Sequence, residues 1–402
     1  MSPFLRNLKH KSFIALAKFM VNFAPSASYM AFAGRGSAAQ LARHIVRTGV
    51  RRVLVVTDKP LRELGLVDRV VEGLVAAGVD VAYYDGVQPD PTFDQVAAGA
   101  EVLRTHGSEA VLAVGGGSSI DAAKIIAASA TSAENPKDWV GFGKVKHEVL
   151  PLYAVPTTSG TGSEATMGAV ISDSVSHEKG IISGSSLLPA AAALDPELIT
   201  GLPAPITAAT GMDALTHGIE AYICTWDRGT RLEHSRAAIR LVFEHLRTAC
   251  ADGGNLEARE GMSMAAYYAG IAINQVNVGN VHAIAHQLGG KYGIPHGLAN
   301  AMVLPHVLEF CREEARPRLA ELALLVGVGS PGASEAQLAQ SFIDAVRDLR
   351  SAVGIPERSD KIQAGDYDYL CDLALAECES YPVPRLLDRE NTLAILANIT
   401  AS

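Results

Sequence analysis

Ala110-Val-Leu-Ala-Val114-Gly115-Gly116-Gly117-Ser118-Ser119-Ile-Asp121 decides how this chain folds. An unbroken apolar, β-branched run ends in three glycines and two hydroxyl residues, and a helical pattern follows with Asp121 in its first turn. The run reads as a buried strand and the turn as the start of a helix opened by Ser118 or Ser119. Three glycines let a backbone come close to a ligand, and free N–H groups at a helix start favour a phosphate. A serine-capped turn with no ligand is the plainer alternative. It is common for one glycine and less so for three, which favours pyrophosphate binding.

The same alternation extends on both sides. Strands are expected at Val53–Thr57, Val79–Tyr84, Leu152–Val155, Ala169–Ser172 and Ala191–Leu194, with helices over Leu61–Ala77, Val96–His106 and from Ser119. Strand–helix alternation of this kind predicts an α/β N-terminal domain built on a Rossmann-like parallel sheet. After Gly201–Pro205, where Gly and Pro cluster, long helical windows take over: Thr207–Tyr222, Leu232–Ala251, Ala258–Asn274, Val281–Leu288, Arg318–Leu325 and Ser334–Val353. The expected division is therefore an α/β dinucleotide-binding domain over 1–203 and an all-helical, metal-binding catalytic domain over 204–402.

Two further glycine patterns, Gly34-Arg-Gly36-Ser-Ala-Ala39 and Gly160-Thr-Gly162-Ser-Glu-Ala165, match G-x-G-x-x-A but make a poor dinucleotide fingerprint. Ser28–Phe32 is a weak strand before the first, and the second comes too late to be an opening βαβ unit. The strand Val53–Thr57 is followed by Asp58-Lys59-Pro60 and no glycine loop. Pro156-Thr157-Thr158-Ser159-Gly160-Thr161-Gly162-Ser163-Glu164 also follows a strand end. Alone it could be a solvated hydroxyl loop or a helix cap with Glu164. Paired with the Gly115 loop at the carboxyl ends of strands in one sheet, it reads as part of a nucleotide crevice.

In the helical half, Asp213 and His217 are four apart on one helix face, and His282 and His286 repeat that spacing. His296 follows in Gly-Ile-Pro-His296-Gly, a turn able to bend back over the helix. Taken singly, each histidine is better explained as a satisfied core residue. As a set with apolar flanks they point to a metal, because unpaired buried polar groups are costly. Imidazole and carboxylate ligands suit Zn2+ or Fe2+. Spacing alone does not say which of His282 and His286 is a ligand, and Glu220, His234 and His245 read as structural.

The chain has 402 residues, 48% hydrophobic and 19% charged, with 34 basic and 43 acidic side chains and a net charge of −9. This profile suits a folded chain of two or three domains and argues against a general nucleic-acid surface. No apolar run is long enough for a transmembrane helix, so no membrane partner is expected. Five scattered cysteines contain no Cys-x-x-Cys pair, which suggests reduced thiols in a cytoplasmic protein. The first 57 residues hold nine Lys or Arg and no acid, leaving the rest at −18. There Arg6, Lys9, Lys11 and Lys18 lie among Leu5, Leu8, Leu16, Met20 and Phe23 as a basic amphipathic helix. Residues 1–27 read as a docked N-terminal extension better than as a secretory signal, since lysines interrupt every apolar stretch.

These motifs together resemble the iron-dependent (group III) alcohol dehydrogenases, over nearly the whole chain after about residue 30. The marks are Val-Val-Thr57-Asp58-Lys59, Gly115-Gly-Gly-Ser118 with Asp121 and Lys124, Pro156 to Glu164, Gly211-Met-Asp213-Ala-Leu-Thr-His217, and His282-x3-His286-x9-His296-Gly297. The resemblance implies the fold shared with dehydroquinate synthase and a single divalent metal, Fe2+ ahead of Zn2+, on Asp213, His217, His282 and His296. It makes His286 the residue that relays the substrate proton. It implies NAD(H) on Asp58, Gly115, Gly116, Gly117, Ser118, Asp121, Thr157, Thr158, Ser159, Thr161 and Lys179, with Asp58 on the adenosine ribose, where a carboxylate repels a 2′-phosphate.

The implied reaction is reversible hydride transfer between a small alcohol or diol and NAD, in a homodimer or larger homo-oligomer. Three departures stand out: Pro89-Asp90-Pro91-Thr92 where the family commonly has Pro-Asn-Pro-Thr, the basic extension, and Cys224-Thr-Trp226-Asp-Arg after the metal helix. The alternatives are a dehydroquinate-synthase-like lyase, which needs more Lys and Arg near the ligands than this chain has, and a metal- or nucleotide-binding protein without turnover.

Overall fold

Uninterrupted apolar runs form the centre of the first half. The computed structural model describes residues 3–22, 27–176, 178–226, 229–330 and 332–401. Phe23 of the amphipathic pattern and residues 227 and 228 of the Cys224 stretch lie outside them. Helix α1 (Pro3–Asn22) is followed by strand β1 (Ala31–Ala33), α2 (Ser37–Arg47), β2 (Arg52–Val56), α3 (Lys59–Glu63), α4 (Leu66–Ala76), β3 (Asp80–Tyr84), α5 (Phe93–His106), β4 (Ala110–Gly115) and α6 (Gly117–Ala128). Then come β5 (Gly141–Phe142), β6 (Leu152–Pro156), β7 (Gly168–Ser172), β8 (Lys179–Ser183) and β9 (Ala191–Leu194).

Six strands pair in the order β1-β9-β6-β4-β2-β3, every pair parallel. Val53 to Val56 and Val111 to Val114 are buried on both faces, as a sheet covered by helices requires. The chain leaves β2 for β3 on one side and returns to β4 on the other. The topological switch point, where open α/β sheets bind ligands, therefore lies between the carboxyl ends of β2 and β4. Thr57-Asp58 and Gly115–Gly117 occupy those two ends.

Several sequence expectations change in detail. Ala31–Ala33 is a strand after all; three residues are too few for a periodicity, and its pairing with β9 is a tertiary effect. The expected helix Leu61–Ala77 is two helices, because Gly65 adopts a left-handed conformation at φ 70° between them. Strand β7 leaves the main sheet and joins β5 and β8, running antiparallel to β8. Neither serine caps α6: its N-cap is Gly116, with no side-chain cap.

The second half is helical: α7 (Ala204–Ile223), α8 (Arg231–Ala251), α9 (Leu256–Val276), α10 (Asn280–Tyr292), α11 (His296–Phe310), α12 (Arg312–Leu325), α13 (Glu335–Ala352), α14 (Tyr367–Cys378) and α15 (Arg389–Ile399). His296 is not confined to a turn but is the first residue of α11, which continues through Pro305. No helix among the described residues is long and apolar enough to cross a membrane.

The chain forms two compact units that are not contiguous blocks. One contains 27–202 with 253–270, the other 1–26, 203–252 and 271–402. Residues 1–26 were expected in the α/β domain, but Arg6 and His10 of α1 bond to backbone carbonyls between Leu375 and Leu387, in the helical unit. Residues 253–270 go with the sheet because Gly270 presses against Gly162, at the end of the loop after β6. A Cβ on Gly270 would lie 2.5 Å from the Gly162 carbonyl oxygen. Gly270→Ala is therefore expected to cost about 1–3 kcal/mol through overpacking, read by urea unfolding. Unchanged stability would show that this contact is easily relaxed.

Candidate metal centre and cofactor loops

In the helical unit, α7 is buried along most of its length, so its polar residues need partners inside the protein. Asp213 and His217 stand one turn apart on it, 2% and 5% exposed. Helix α10 supplies His282, and α11 begins with His296. The start of α11 comes so close to α7 that a Cβ on Gly297 would lie 2.3 Å from the Ala209 carbonyl oxygen. One ligating atom from each of Asp213, His217, His282 and His296 lies within 4.8 Å of the others. His282 Nε2 is 3.0 Å from His217 Nε2, and Asp213 Oδ1 is 3.5 Å from His296 Nε2. His286 is outside this group, so geometry separates it from His282 where spacing could not.

Two residues not predicted from the sequence orient the cluster. Glu220, buried one turn beyond His217, accepts hydrogen bonds from the Gly279 and Val281 amides at 2.8 and 2.6 Å and from His282 Nδ1 at 2.6 Å. Burial pushes its carboxyl up and the hydrogen bonds from Val281, Gly279 and His282 pull it back down; only the ionised form accepts all three. Because the carboxylate can only accept, His282 Nδ1 carries the hydrogen and Nε2 presents a lone pair to the cluster. Burial and the neighbouring histidines hold the His282 pKa well below the ordinary imidazole value, so the ring is neutral.

Asn300 points its amide nitrogen at Asp213 Oδ1, His282 Nε2 and His296 Nε2, at 2.6, 3.2 and 3.1 Å. An NH2 group has only two hydrogens for those three acceptors. The surplus of convergent acceptors in a buried site fits a divalent cation bound by three nitrogens and one oxygen. The spacing of Asp213, His217 and Glu220 on one helix face was the available signal for Glu220. Asn300, one turn beyond His296, gave none without α11.

His286 Nδ1 lies 2.6 Å from Glu377 Oε1, and its ring stacks on His296 at 5.3 Å between centroids.

In the sheet unit, two loops pack directly on each other. A Cβ on Gly117 would lie 2.6 Å from Thr161 Cγ2, and one on Gly116 would lie 3.3 Å from Thr158. The Thr157 amide donates to the Gly115 carbonyl at 3.0 Å. Thr157 and Ser159 are buried, whereas Ser118, Thr158 and Thr161 are half-buried. With no side-chain cap on α6, its first amides are available to an anion.

Asp121 is engaged by protein groups on both carboxylate oxygens. It accepts from the Ser163 hydroxyl, from Val170 N–H at 2.9 Å and from the Lys124 ammonium at 3.4 Å. Lys124, fully buried, also donates to Ser163 Oγ and Thr166 Oγ1 at 2.8 and 3.1 Å, so this pair fastens the second loop. Asp58 caps α3 by accepting the Leu61 amide at 2.9 Å through Oδ1, and burial raises its carboxyl despite that bond. Lys179 Nζ pairs at 2.8 Å with Asp90, a non-glycine residue at φ 55°.

A sequence profile for iron-containing alcohol dehydrogenases matches residues 30–196, and one for the C-terminal part of the same family matches residues 207–400. The chain belongs to the iron-containing alcohol dehydrogenase family. It is 40% identical to 1,3-propanediol dehydrogenase of Citrobacter freundii, over 84% of this chain and 88% of that one. It is 36% identical to the NAD-dependent methanol dehydrogenase of Bacillus methanolicus, over 94% and 98%. The crystal structure of a 1,3-propanediol oxidoreductase superposes with a TM-score of 0.89 at 36% identity, covering 93% of this chain and 99% of that one.

Among the alcohol dehydrogenase's loop residues, Glu164 gives a pH test. Burial lifts its carboxyl from 4.5 to about 7, against the pull of a backbone hydrogen bond and Lys124. The folded chain thus holds this proton more tightly than the unfolded one. The stability it contributes is complete below about pH 4.5 and is lost as the pH rises through 7. Glu164→Gln should match the parent near pH 4.5 and exceed it by about 3 kcal/mol at pH 8 in urea unfolding. Equal stability at both pH values would contradict the assigned shift.

Proposed function

We propose that this family member reversibly oxidises a small primary or secondary alcohol, or a diol, to the aldehyde or ketone with NAD. One divalent metal, Fe2+ ahead of Zn2+, would be held by Asp213, His217, His282 and His296. The observation that carries this reading is the excess of acceptors facing one point, three of them shared by the two hydrogens of the Asn300 amide. The names of the relatives, a propanediol and a methanol dehydrogenase, support a small alcohol substrate.

When bound, the metal supplies Lewis acidity toward the alcohol or carbonyl oxygen. The protein's own contributions are positional. His217 and His282 approach as a stacked pair, 4.6 Å between ring centroids, so both Nε2 atoms face the same point before substrate arrives. Asn300 would donate to the Asp213 carboxylate that shares that point. His286, outside the ligand group but stacked on His296, would take the alcohol proton and pass it toward solvent. Bound NAD would supply the hydride acceptor, and NADH the donor, which is the chemistry of the cofactor itself.

Gly115, Gly116, Gly117 and Ser118 would cradle the pyrophosphate, with Thr157, Thr158, Ser159 and Thr161 bonding the rest of NAD. Lys179 would reach a ribose hydroxyl while held by Asp90. Asp121 supports the cofactor indirectly, by fastening the second loop. Asp58 has one carboxylate oxygen on its helix cap and a second for the adenosine ribose, which favours NAD over NADP. The net charge of −9 argues against nucleic acid as a partner, and five cysteines outside any disulfide fit a cytoplasmic setting. A homodimer or larger homo-oligomer completes this reading.

Two measurements test it. His217→Ala should lose its bound metal by elemental analysis and lower kcat/KM by at least about 100-fold; retention of both metal and turnover would overturn the ligand set. Asp58→Gly should narrow the NAD-over-NADP preference by about 10-fold or more, since like-charge repulsion is worth a few kcal/mol. Unchanged discrimination would contradict the role given to Asp58.

A further inference from the structure

Helix α1 lies outside the residues matched by the family profiles, which begin at 30. One side of it is nonetheless tied into the helical unit at four-residue spacing. Ile14 packs in a buried cluster with Ala221, Trp226, Ala272 and Val276. One turn earlier, His10 Nε2 donates to the Tyr381 carbonyl at 2.9 Å. One turn earlier still, Arg6 donates to the Leu375 carbonyl at 2.8 Å and the Leu387 carbonyl at 2.5 Å, and pairs with Glu379 at 2.8 Å. Leu375 lies in the last turn of α14, whose carbonyls have no partner within the helix. Arg6 thus closes the end of α14 and the turn beyond it.

Glu377 sits in the middle of that clamped stretch. Its Oε1 accepts from His286 Nδ1 and Tyr381 Oη, both at 2.6 Å, and its Oε2 accepts from Gln287 Nε2 at 2.6 Å. A carboxylate with three donors leaves one tautomer for a neutral His286: hydrogen on Nδ1, lone pair on Nε2. That tautomer is the one able to take a proton at Nε2.

We propose that Glu377 is a positioning residue that holds His286 with Nε2 open to accept the substrate proton, and that α1, through Arg6 and His10, fixes the turn carrying Glu377. This rests on the reading of His286 as the proton relay. It gives the basic N-terminal extension a place in the site without contact with substrate or cofactor.

The test uses the full-length, metal-loaded enzyme. His286→Ala should lower kcat by about 100-fold or more. Glu377→Leu, close in volume but unable to accept a hydrogen bond, should lower kcat by about 10–100-fold with KM for NAD and metal content unchanged. Glu377→Gln, whose amide oxygen still accepts from His286, should recover most of that loss. The double variant Arg6→Ala with His10→Ala should lower kcat by about 3–10-fold, again without a change in KM for NAD.

Equal losses in the Leu and Gln variants, or no loss in the Leu variant, would overturn the role of Glu377. An unchanged kcat in the double variant would overturn the role of α1. No loss in His286→Ala would bring down the reading of His286 itself, and the proposal with it. Should Glu377→Leu not fold, the solvent deuterium isotope effect on kcat in Glu377→Gln decides: an increase is expected, and no change overturns the proposal.

Discussion

A carboxylate on α7 fixes both the placement of α10 and the direction of one ring on it. Glu220 is buried, and a buried carboxylate is tolerated only when donors surround it. Those donors are the two amides at the start of α10 and the Nδ1–H of His282. Remove the carboxylate and three hydrogen bonds go together: the seat of α10, the tautomer of His282 and the aim of its Nε2. Gly279 permits the approach, since a Cβ there would lie 2.8 Å from Glu220 Oε1. Asp213, His217 and Glu220 lie on the same face of α7, so one helix supplies two of the clustered groups and the support for a third.

The histidine next along α10 is held by similar means. His282 and His286 each place Nδ1 2.6 Å from a glutamate oxygen, one on α7 and the other on α14. Two rings one helical turn apart are thus oriented by carboxylates on different helices. One ring faces the clustered acceptors and the other lies beside them. Separate supports let one helix hold two imidazoles in different surroundings, which the repeated four-residue spacing alone cannot express.

Much of this was legible in the sequence, for physical reasons. Buried parallel strands need unbroken apolar runs, so β2, β4 and β6 stood out, and the glycines after β4 marked a place where backbone and loop must approach. Asp213 with His217 was visible because helical neighbours recur every four residues. What was not legible depends on contacts distant in sequence. Strand β1 is too short to show a pattern and forms by pairing with β9. Gly65 divides an otherwise continuous helical pattern through its left-handed backbone. Helix α11 was hidden by Pro305 and by the Gly-Ile-Pro stretch before His296, and Asn300 was hidden with it. Asp121 stood out because it lies one turn past the glycines, but its bonds to Ser163 and Val170 join positions more than forty residues apart and left no local pattern. The concentration of basic residues before Asp58 could be counted but not assigned. The anchoring of Arg6 shows that part of that charge serves contacts with the end of α14 and the turn beyond it.

The most direct test of the central claim is a titration of the metal-stripped enzyme with Fe2+ under anaerobic conditions, following bound metal and NAD-dependent alcohol oxidation together. The convergence of Asp213, His217, His282 and His296 predicts that activity rises linearly and stops at one metal per chain. Full activity in the stripped protein, or a break at any other stoichiometry, would contradict it.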